Sequence, residues 1–310
     1  MSLIVTGTIG IDTVELPTGE KRADVLGGSC TYFAAAASFF TPVRVVAVAG
    51  EDLPSEHERT LRSFENVDLR GLEKRAGSKT FRWGGKYLAN MDSRETLFTD
   101  LNVLAEEPPA VPQAYRDSAY VFLANTHPMV QLGMLEQLPS ARLKVADTMD
   151  LWINIAKAEL LQLLGRIDGL VLNFDEAELL TGHRNTVSAG RHILDMGPRF
   201  VVIKKGEHGC IFVHRDGIAA LPAFPAEVVI DPTGAGDTFA GGMMGTLAAD
   251  GATGHQKDPA SFGAVRRALV AGTVIASFNI ESFSLERLSS LTTDELHSRI
   301  DAFTRMLRIE

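Results

Sequence analysis

The stretch Asp231-Pro232-Thr233-Gly234-Ala235-Gly236-Asp237-Thr238-Phe239-Ala240-Gly241-Gly242 decides how this chain is read. A strand-like run, Val228 to Ile230, leads into it, and a helix-like run, Phe239 to Ala249, leads out. Glycines on either side of one alanine let backbone N–H groups approach a ligand with no side chain in the way. At a helix N-terminus those groups are unpaired donors carrying partial positive charge, which makes the turn an anion site. Asp237 sets a carboxylate beside it. Amides that hold developing charge, next to a carboxylate that takes a proton from an attacking hydroxyl, suit phosphoryl transfer. The plainer alternative is a tight turn followed by a favourable first-turn acid.

The chain has 310 residues, enough to bury the core of one α/β domain spanning 1–310. Its net charge of −9 argues against a dedicated nucleic-acid partner. Cys30 and Cys210 are its two cysteines and form no Cys-x-x-Cys pair, so a reducing, cytoplasmic setting is expected. No signal-peptide pattern opens the chain, and its apolar runs are too short or interrupted to span a bilayer, so no membrane partner is expected. No low-complexity tract or fixed-period repeat stands out.

Leu3 to Asp12 alternates and is β-branched, which predicts a strand ending in a carboxylate. In open α/β sheets strand ends are where ligands bind, although a solvated turn would also accept Asp12. Thr13 to Val25 reads as a flap. Gly27-Gly28-Ser29 then opens an apolar helix, Cys30 to Phe40, with Ser29 expected to cap it. A strand over Val43 to Ala49 and an amphipathic helix over Pro54 to Phe64 follow. Ser78 to Leu88 and Glu95 to Leu101 read as a hairpin with Phe81, Trp83 and Tyr87 on one side. Those rings either line a ligand site or pack on the domain or on a second subunit.

From there strands alternate with helices. Strand-like runs are Tyr120 to Ala124, Leu143 to Ala146, Gly169 to Leu172 and Phe200 to Ile203. Helical runs include Met129 to Leu138, Trp152 to Gly165, Ser188 to Met196, Arg266 to Phe278 and Thr293 to Leu307. This alternation predicts a mostly parallel sheet with helices on both faces. Strand ends at Asn125-Thr126-His127-Pro128 and Asp147-Thr148-Met149-Asp150 are placed to line a substrate pocket. Asn173-Phe174-Asp175-Glu176 has the spacing of a capping box, a complete structural explanation in itself. Lys204-Lys205-Gly206-Glu207-His208-Gly209 follows a buried-type strand and fits a hairpin turn into Cys210 to Val213.

Other chemistries lack their signatures. There is no Gly-x-x-x-x-Gly-Lys-Ser/Thr, and no Gly-x-Gly-x-x-Gly follows the first strand. His214-Arg215-Asp216 imitates a protein-kinase catalytic loop, but Leu221 stands where that loop needs Asn. No zinc-type Cys/His cluster occurs.

The run Asp231 to Gly242, supported by Asn173-x-x-Glu176 and Gly27-Gly28, resembles the PfkB-type, or ribokinase-like, carbohydrate kinases, including their nucleoside kinase branch. The resemblance covers nearly the whole chain. It implies an α/β fold with a small β-sheet lid, formed near 13–25 and 78–101, and transfer of the γ-phosphate of ATP to a hydroxyl of a small polyol. It implies that Asp237 is the catalytic base and that Gly234, Ala235 and Gly236 form the anion hole. A helix N-terminus lowers the basicity of Asp237, which suits a late proton acceptor. Substrate contacts implied or expected are Asp12, Gly27, Gly28, Ser29, Tyr32, Trp83 and Asn125. Tyr32 stands where many relatives carry an asparagine, which turns the reading away from a plain sugar. Nucleotide contacts implied are Asn173, Lys205, Gly206, Gly209, Thr233, Gly234 and Gly236. Glu176 is implied to hold Mg²⁺ through water, and Asp231, with a loop near Ile280 to Ser284, to bind K⁺. The aromatic lid favours a nucleoside, phosphorylated on its ribose 5′-hydroxyl, over ribose, fructose or a sugar phosphate. A homodimer through the lid is a further expectation, and a non-catalytic binder on the same fold is the rival from another class.

Overall fold

The computed structural model describes residues 2–91, 93–254 and 256–308. The strands are β1 (Leu3–Thr6), β2 (Gly10–Glu15), β3 (Lys21–Gly27), β4 (Val43–Gly50), β5 (Val67–Arg75), β6 (Phe81–Tyr87), β7 (Arg94–Asp100), β8 (Tyr120–Leu123), β9 (Leu143–Asp147), β10 (Gly169–Asn173), β11 (Phe200–Lys204), β12 (Cys210–His214) and β13 (Gly217–Leu221). The helices are α1 (Ser29–Ala37), α2 (Ser55–Arg62), α3 (Pro128–Glu136), α4 (Asp150–Ile155), α5 (Lys157–Leu164), α6 (Phe174–Thr181), α7 (Thr186–Asp195), α8 (Ala235–Ala252), α9 (Phe262–Asn279), α10 (Glu286–Ser290) and α11 (Thr293–Met306).

A nine-stranded sheet runs β13-β12-β11-β10-β9-β8-β1-β4-β5. It is parallel from β11 to β5, and β12 and β13 extend it antiparallel. Its strands alternate between two apolar layers, as a period of two requires when helices cover both faces. Leu3, Val5, Val145, Val171, Phe200 and Val202 face the layer holding α1, α8, α9 and α11. Ile4, Ala146, Leu170, Leu172, Val201 and Ile203 face the layer of α3, α5, α6 and α7. A separate four-stranded sheet, β3-β2-β6-β7, forms the lid. Within it β2 and β6 are parallel and the outer pairs antiparallel.

The mostly parallel sheet, the two helical layers and the small lid sheet agree with expectation. Several boundaries do not. Leu3 to Asp12 is two strands in two sheets. The Thr8 N–H and hydroxyl bond Ser29 instead of a strand partner, and the chain crosses there into the lid. Val228 to Ile230 is not a strand. Val228 and Val229 are 60 % and 41 % exposed, and Ile230 and Asp231 donate to the Ile280 carbonyl. α8 begins at Ala235, because the Gly234 carbonyl already accepts from Thr238 N–H. Trp152 to Gly165 breaks into α4 and α5 at Ala156. β5 has no counterpart in the sequence reading: as an edge strand it is largely solvated and charged, with no apolar run to mark it. Among the described residues no helix is long and apolar enough to cross a membrane.

Candidate active site

The carboxyl ends of β9, β10 and β11 stand side by side, with Asn173 directly opposite Lys204 and Asp147 closing the neighbouring strand. Asp147 is two residues beyond Val145, Asn173 two beyond Val171, and Lys204 two beyond Val202. All three therefore project from the sheet face that α8 covers. The start of α8 meets them there.

Gly234 caps α8 with φ 75°, a left-handed conformation natural to glycine. A methyl at this position would also drive into the ring of Tyr32, which is 2 % exposed. Lys204 Nζ lies 3.3 Å from Asp147 Oδ2 and 2.7 Å from where a Cβ on Gly236 would sit. The ammonium thus rests against the Gly-Ala-Gly turn. Asp237, in the first turn, is partly buried. Burial and then the nearby Asp147 push its pKa up to about 7, against the opposing pull of Lys204 and of Arg94 from the lid. Desolvation and a like charge thus act in the direction opposite to the lowering that a helix N-terminus gives.

Asn173 Oδ1 accepts from Glu176 N–H at 2.8 Å, and Glu176 Oε2 accepts from Asn173 N–H at 2.7 Å, so the capping box is complete. Burial and then Asp147 raise the Glu176 pKa to about 8. Burial works against the Lys204 ammonium, but Asp147, Glu176 and Asp237 outweigh it and hold its pKa above the usual lysine value.

Asp12 approaches from β2 of the lid sheet. It is buried, and burial followed by Asp231 raises its pKa to about 7, moderated by a hydrogen bond from the Gly28 backbone. Gly27 leaves the space its carboxylate occupies. Ser29 does not cap α1. Gly28 holds the cap position, and Ser29 Oγ bonds Thr8 and donates to the Asn125 carbonyl at 3.2 Å. Asp12 Oδ1, Tyr32 OH and Asp231 Oδ2 are buried with no hydrogen-bond partner among the described residues. Such orphans are costly and mark places where a ligand, an ion or water belongs.

Phe81 and Trp83 pair with Gly10 and Asp12 across β2 and β6, so they share a lid face with the Asp12 carboxylate. Tyr87 is a latch: buried, with its hydroxyl 3.0 Å from Thr233 Oγ1. Asn125 Oδ1 accepts from Trp152 Nε1 at 3.0 Å, which fixes the amide with its nitrogen toward Met149. Lys205 turns the other way from Lys204, its Nζ 5.6 Å over the Phe174 ring. Gly206 and Gly209 form the β11–β12 hairpin turn, and a side chain on Gly209 would strike the Leu221 carbonyl, so the hairpin alone accounts for that glycine. Asp231 Oδ1 accepts from Thr233 N–H at 2.9 Å, and Asn279 donates to the Thr233 carbonyl at 2.9 Å.

Sequence reasoning overlooked Lys204 in favour of Lys205, and overlooked Arg94 and Asn279. Counting in twos from Val202 would have sent Lys204 toward α8 and Lys205 away. Arg94 carried no such signal, because its reach across the site depends on how the lid lies. Among the described residues no three carboxylate, thiol or imidazole side chains converge closely enough to hold a metal ion.

A parallel α/β sheet whose strand ends meet a Gly-Ala-Gly helix start and a carboxylate, beneath a β-sheet lid, defines a phosphotransferase acting on an alcohol group. Over residues 18–288 the chain matches the pfkB family carbohydrate kinases, and it belongs to that family of ATP-dependent enzymes. A cytidine kinase of Thermococcus kodakarensis is 29 % identical over 253 residues, covering 79 % of this chain and 87 % of that protein. Two solved structures share the fold. The nucleoside kinase of Methanocaldococcus jannaschii has a TM-score of 0.74 at 18 % identity, over 97 % of this chain and 98 % of that one. A putative ribokinase II of E. coli in complex with ATP and Mg²⁺ has a TM-score of 0.74 at 15 % identity, over 97 % and 99 %.

Proposed function

We propose that this kinase phosphorylates a nucleoside on its ribose 5′-hydroxyl. The observation that carries the reading is the lid face that sets Phe81 and Trp83 beside the Asp12 carboxylate, one group for a base and one for ribose hydroxyls. The likeness to a cytidine kinase and to a nucleoside kinase supports it. The sugar-phosphate alternative rests on Arg82 and Lys86, and both are engaged: Arg82 with Asp24 at 2.8 Å, Lys86 with Glu15 at 3.0 Å. A non-catalytic binder would not need Asp237 beside the anion turn.

In this reading Asp12 holds the sugar, with Gly27 and Gly28 giving close approach and Tyr32, Trp83, Asn125 and Ser29 shaping the pocket. The 5′-oxygen attacks the γ-phosphorus and its proton passes to Asp237. The bond to the ADP oxygen breaks with its electron pair, and the N–H groups of Gly234 to Gly236 hold the charge that develops. Asn173, Thr233 and the Lys205 to Gly209 turn border the nucleotide. The surplus of carboxylates over cations at Asp147, Glu176 and Asp237 fits Mg²⁺ held mainly by phosphates and waters. When bound, Mg²⁺ would supply neutralisation of phosphate charge. The unpartnered Asp231 Oδ2 and Asn279 Oδ1, beside loops joined through Ile280, fit a K⁺ ion. The whole of 1–310 is read as one kinase domain. Two free, buried cysteines support a cytoplasmic setting, and the exposed Leu97 and Phe98 on edge strand β7 support a homodimer through the lid.

The test is kcat/KM for adenosine, cytidine, inosine, ribose, fructose and fructose 6-phosphate at saturating MgATP. At least one nucleoside is expected to exceed every sugar tenfold, about 1.4 kcal/mol of transition-state preference. A sugar or sugar phosphate leading by that margin overturns the reading.

A further inference from the structure

We propose that Lys204 is a catalytic residue whose ammonium grips the transferring phosphoryl group from the sheet side, facing the amides that open α8. The inference rests on the reading of that helix start as the phosphoryl site.

A cation at a helix N-terminus meets the positive end of the dipole, and burial strips its water, so the position is doubly unfavourable for a lysine. Yet Lys204 projects there from the end of β11, against Gly236. Asp147 is its hydrogen-bond partner, at 3.3 Å, longer than the 2.7–2.9 Å usual for a tight charge-assisted bond. An ammonium has three donors, and this contact uses one of them loosely. The arrangement sets a positive group beside Asp147 and against Gly236, at the turn that opens α8, with Glu176 and Asp237 near enough to favour its charge. A phosphoryl group entering there would meet α8 amides on one side and Lys204 on the other.

In the reaction Lys204 keeps its proton. The bond from the γ-phosphorus to the ADP oxygen breaks, the bond to the acceptor oxygen forms, and the hydroxyl proton goes to Asp237. The ammonium bonds the non-bridging oxygens as charge shifts across them. This role differs from holding the nucleotide, since it tightens at the transition state and leaves bound ADP nearly unaffected.

The experiment compares Lys204→Met, Lys204→Arg and the pair Lys204→Met/Asp147→Asn, which removes both charges and leaves neither partner unmatched. Melting temperature reports folding. Calorimetry measures affinity for MgADP alone and for MgADP with tetrafluoroaluminate and cytidine, the fluoride complex standing in for the transferring phosphoryl group. Lys204→Met and the double variant are expected to lose about 10²- to 10³-fold in kcat, to hold MgADP within a fewfold of the parent, and to lose the extra affinity for the fluoride complex. Arginine should restore part of it. Turnover within fivefold of the parent in the folded double variant, or an equal loss of MgADP and fluoride-complex binding, overturns the proposal. Asp237→Asn is run in parallel. If it alone is inactive, the site stands and only the role of Lys204 fails; if it too turns over normally, the site itself is misassigned.

Discussion

At Gly234 two requirements coincide: a left-handed backbone and a tyrosine ring pressed against the Cα. Gly234→Ala therefore meets strain and overpacking together, expected to cost roughly 2–4 kcal/mol in denaturant unfolding. In a Tyr32→Ala background the same change should cost about 1 kcal/mol, the backbone share alone; equal costs in both backgrounds would show that the ring is not the obstacle. Asp12 gives a prediction of opposite sign. Its folded pKa is about 7, raised from 3.8 mainly by burial. The protonated native form is thus favoured below about pH 4, and that stabilisation is lost as pH rises through 7. Asp12→Asn should be more stable than the parent at pH 8 by a few kcal/mol, with the gap closing toward pH 4, while acceptor binding is lost. Thermal melts across that range check it. The glycines and Asp237 were legible as an anion turn because their chemistry is local. The raised basicity of Asp237 was not, because it comes first from burial and then from Asp147, ninety residues earlier in the chain, and both depend on the assembled fold.

α6 carries two readings of one residue. Glu176 closes a capping box and also faces the carboxylate cluster. Glutamine preserves an acceptor for the Asn173 N–H and removes a buried charge, so Glu176→Gln should hold stability within about 1 kcal/mol of the parent or exceed it. The Mg²⁺ concentration for half-maximal activity should rise; an unchanged titration would leave Glu176 as a cap alone. Elements with strong periodicity, such as β4, β8 to β11 and α11, were readable because apolar layers press on them from known directions. Those read wrongly lacked that pressure or shared it. Val228 to Ile230 has strand-forming residues but no strand beside it, and β5 is an edge whose stability comes from β4.

Across the molecule, the division into two sheets was hidden because Leu3 to Asp12 reads as one unbroken alternation, whereas β1 and β2 pair into different sheets and Thr8 between them bonds Ser29 and Cys30. The lid and core meet again where Tyr87 touches Thr233, next to Asp231 and its orphaned oxygen. An ion at Asp231 would brace the loop that begins α8. Activity is accordingly expected to be higher in potassium than in tetramethylammonium salts at equal ionic strength, and equal rates in both and in sodium would reject the ion. The crossing after β1 has a further meaning. In the proposed reading β2 carries Asp12 into the same small sheet as Phe81 and Trp83, so the lid sheet supplies part of the acceptor pocket. The groups read as moving phosphate, Asp237 and the Gly234 to Gly236 turn, belong to the start of α8, outside that sheet. On that reading, substitutions at Phe81 or Trp83 should alter which acceptor is used while leaving the start of α8 as it is, because the lid sheet and α8 are separate parts of the fold.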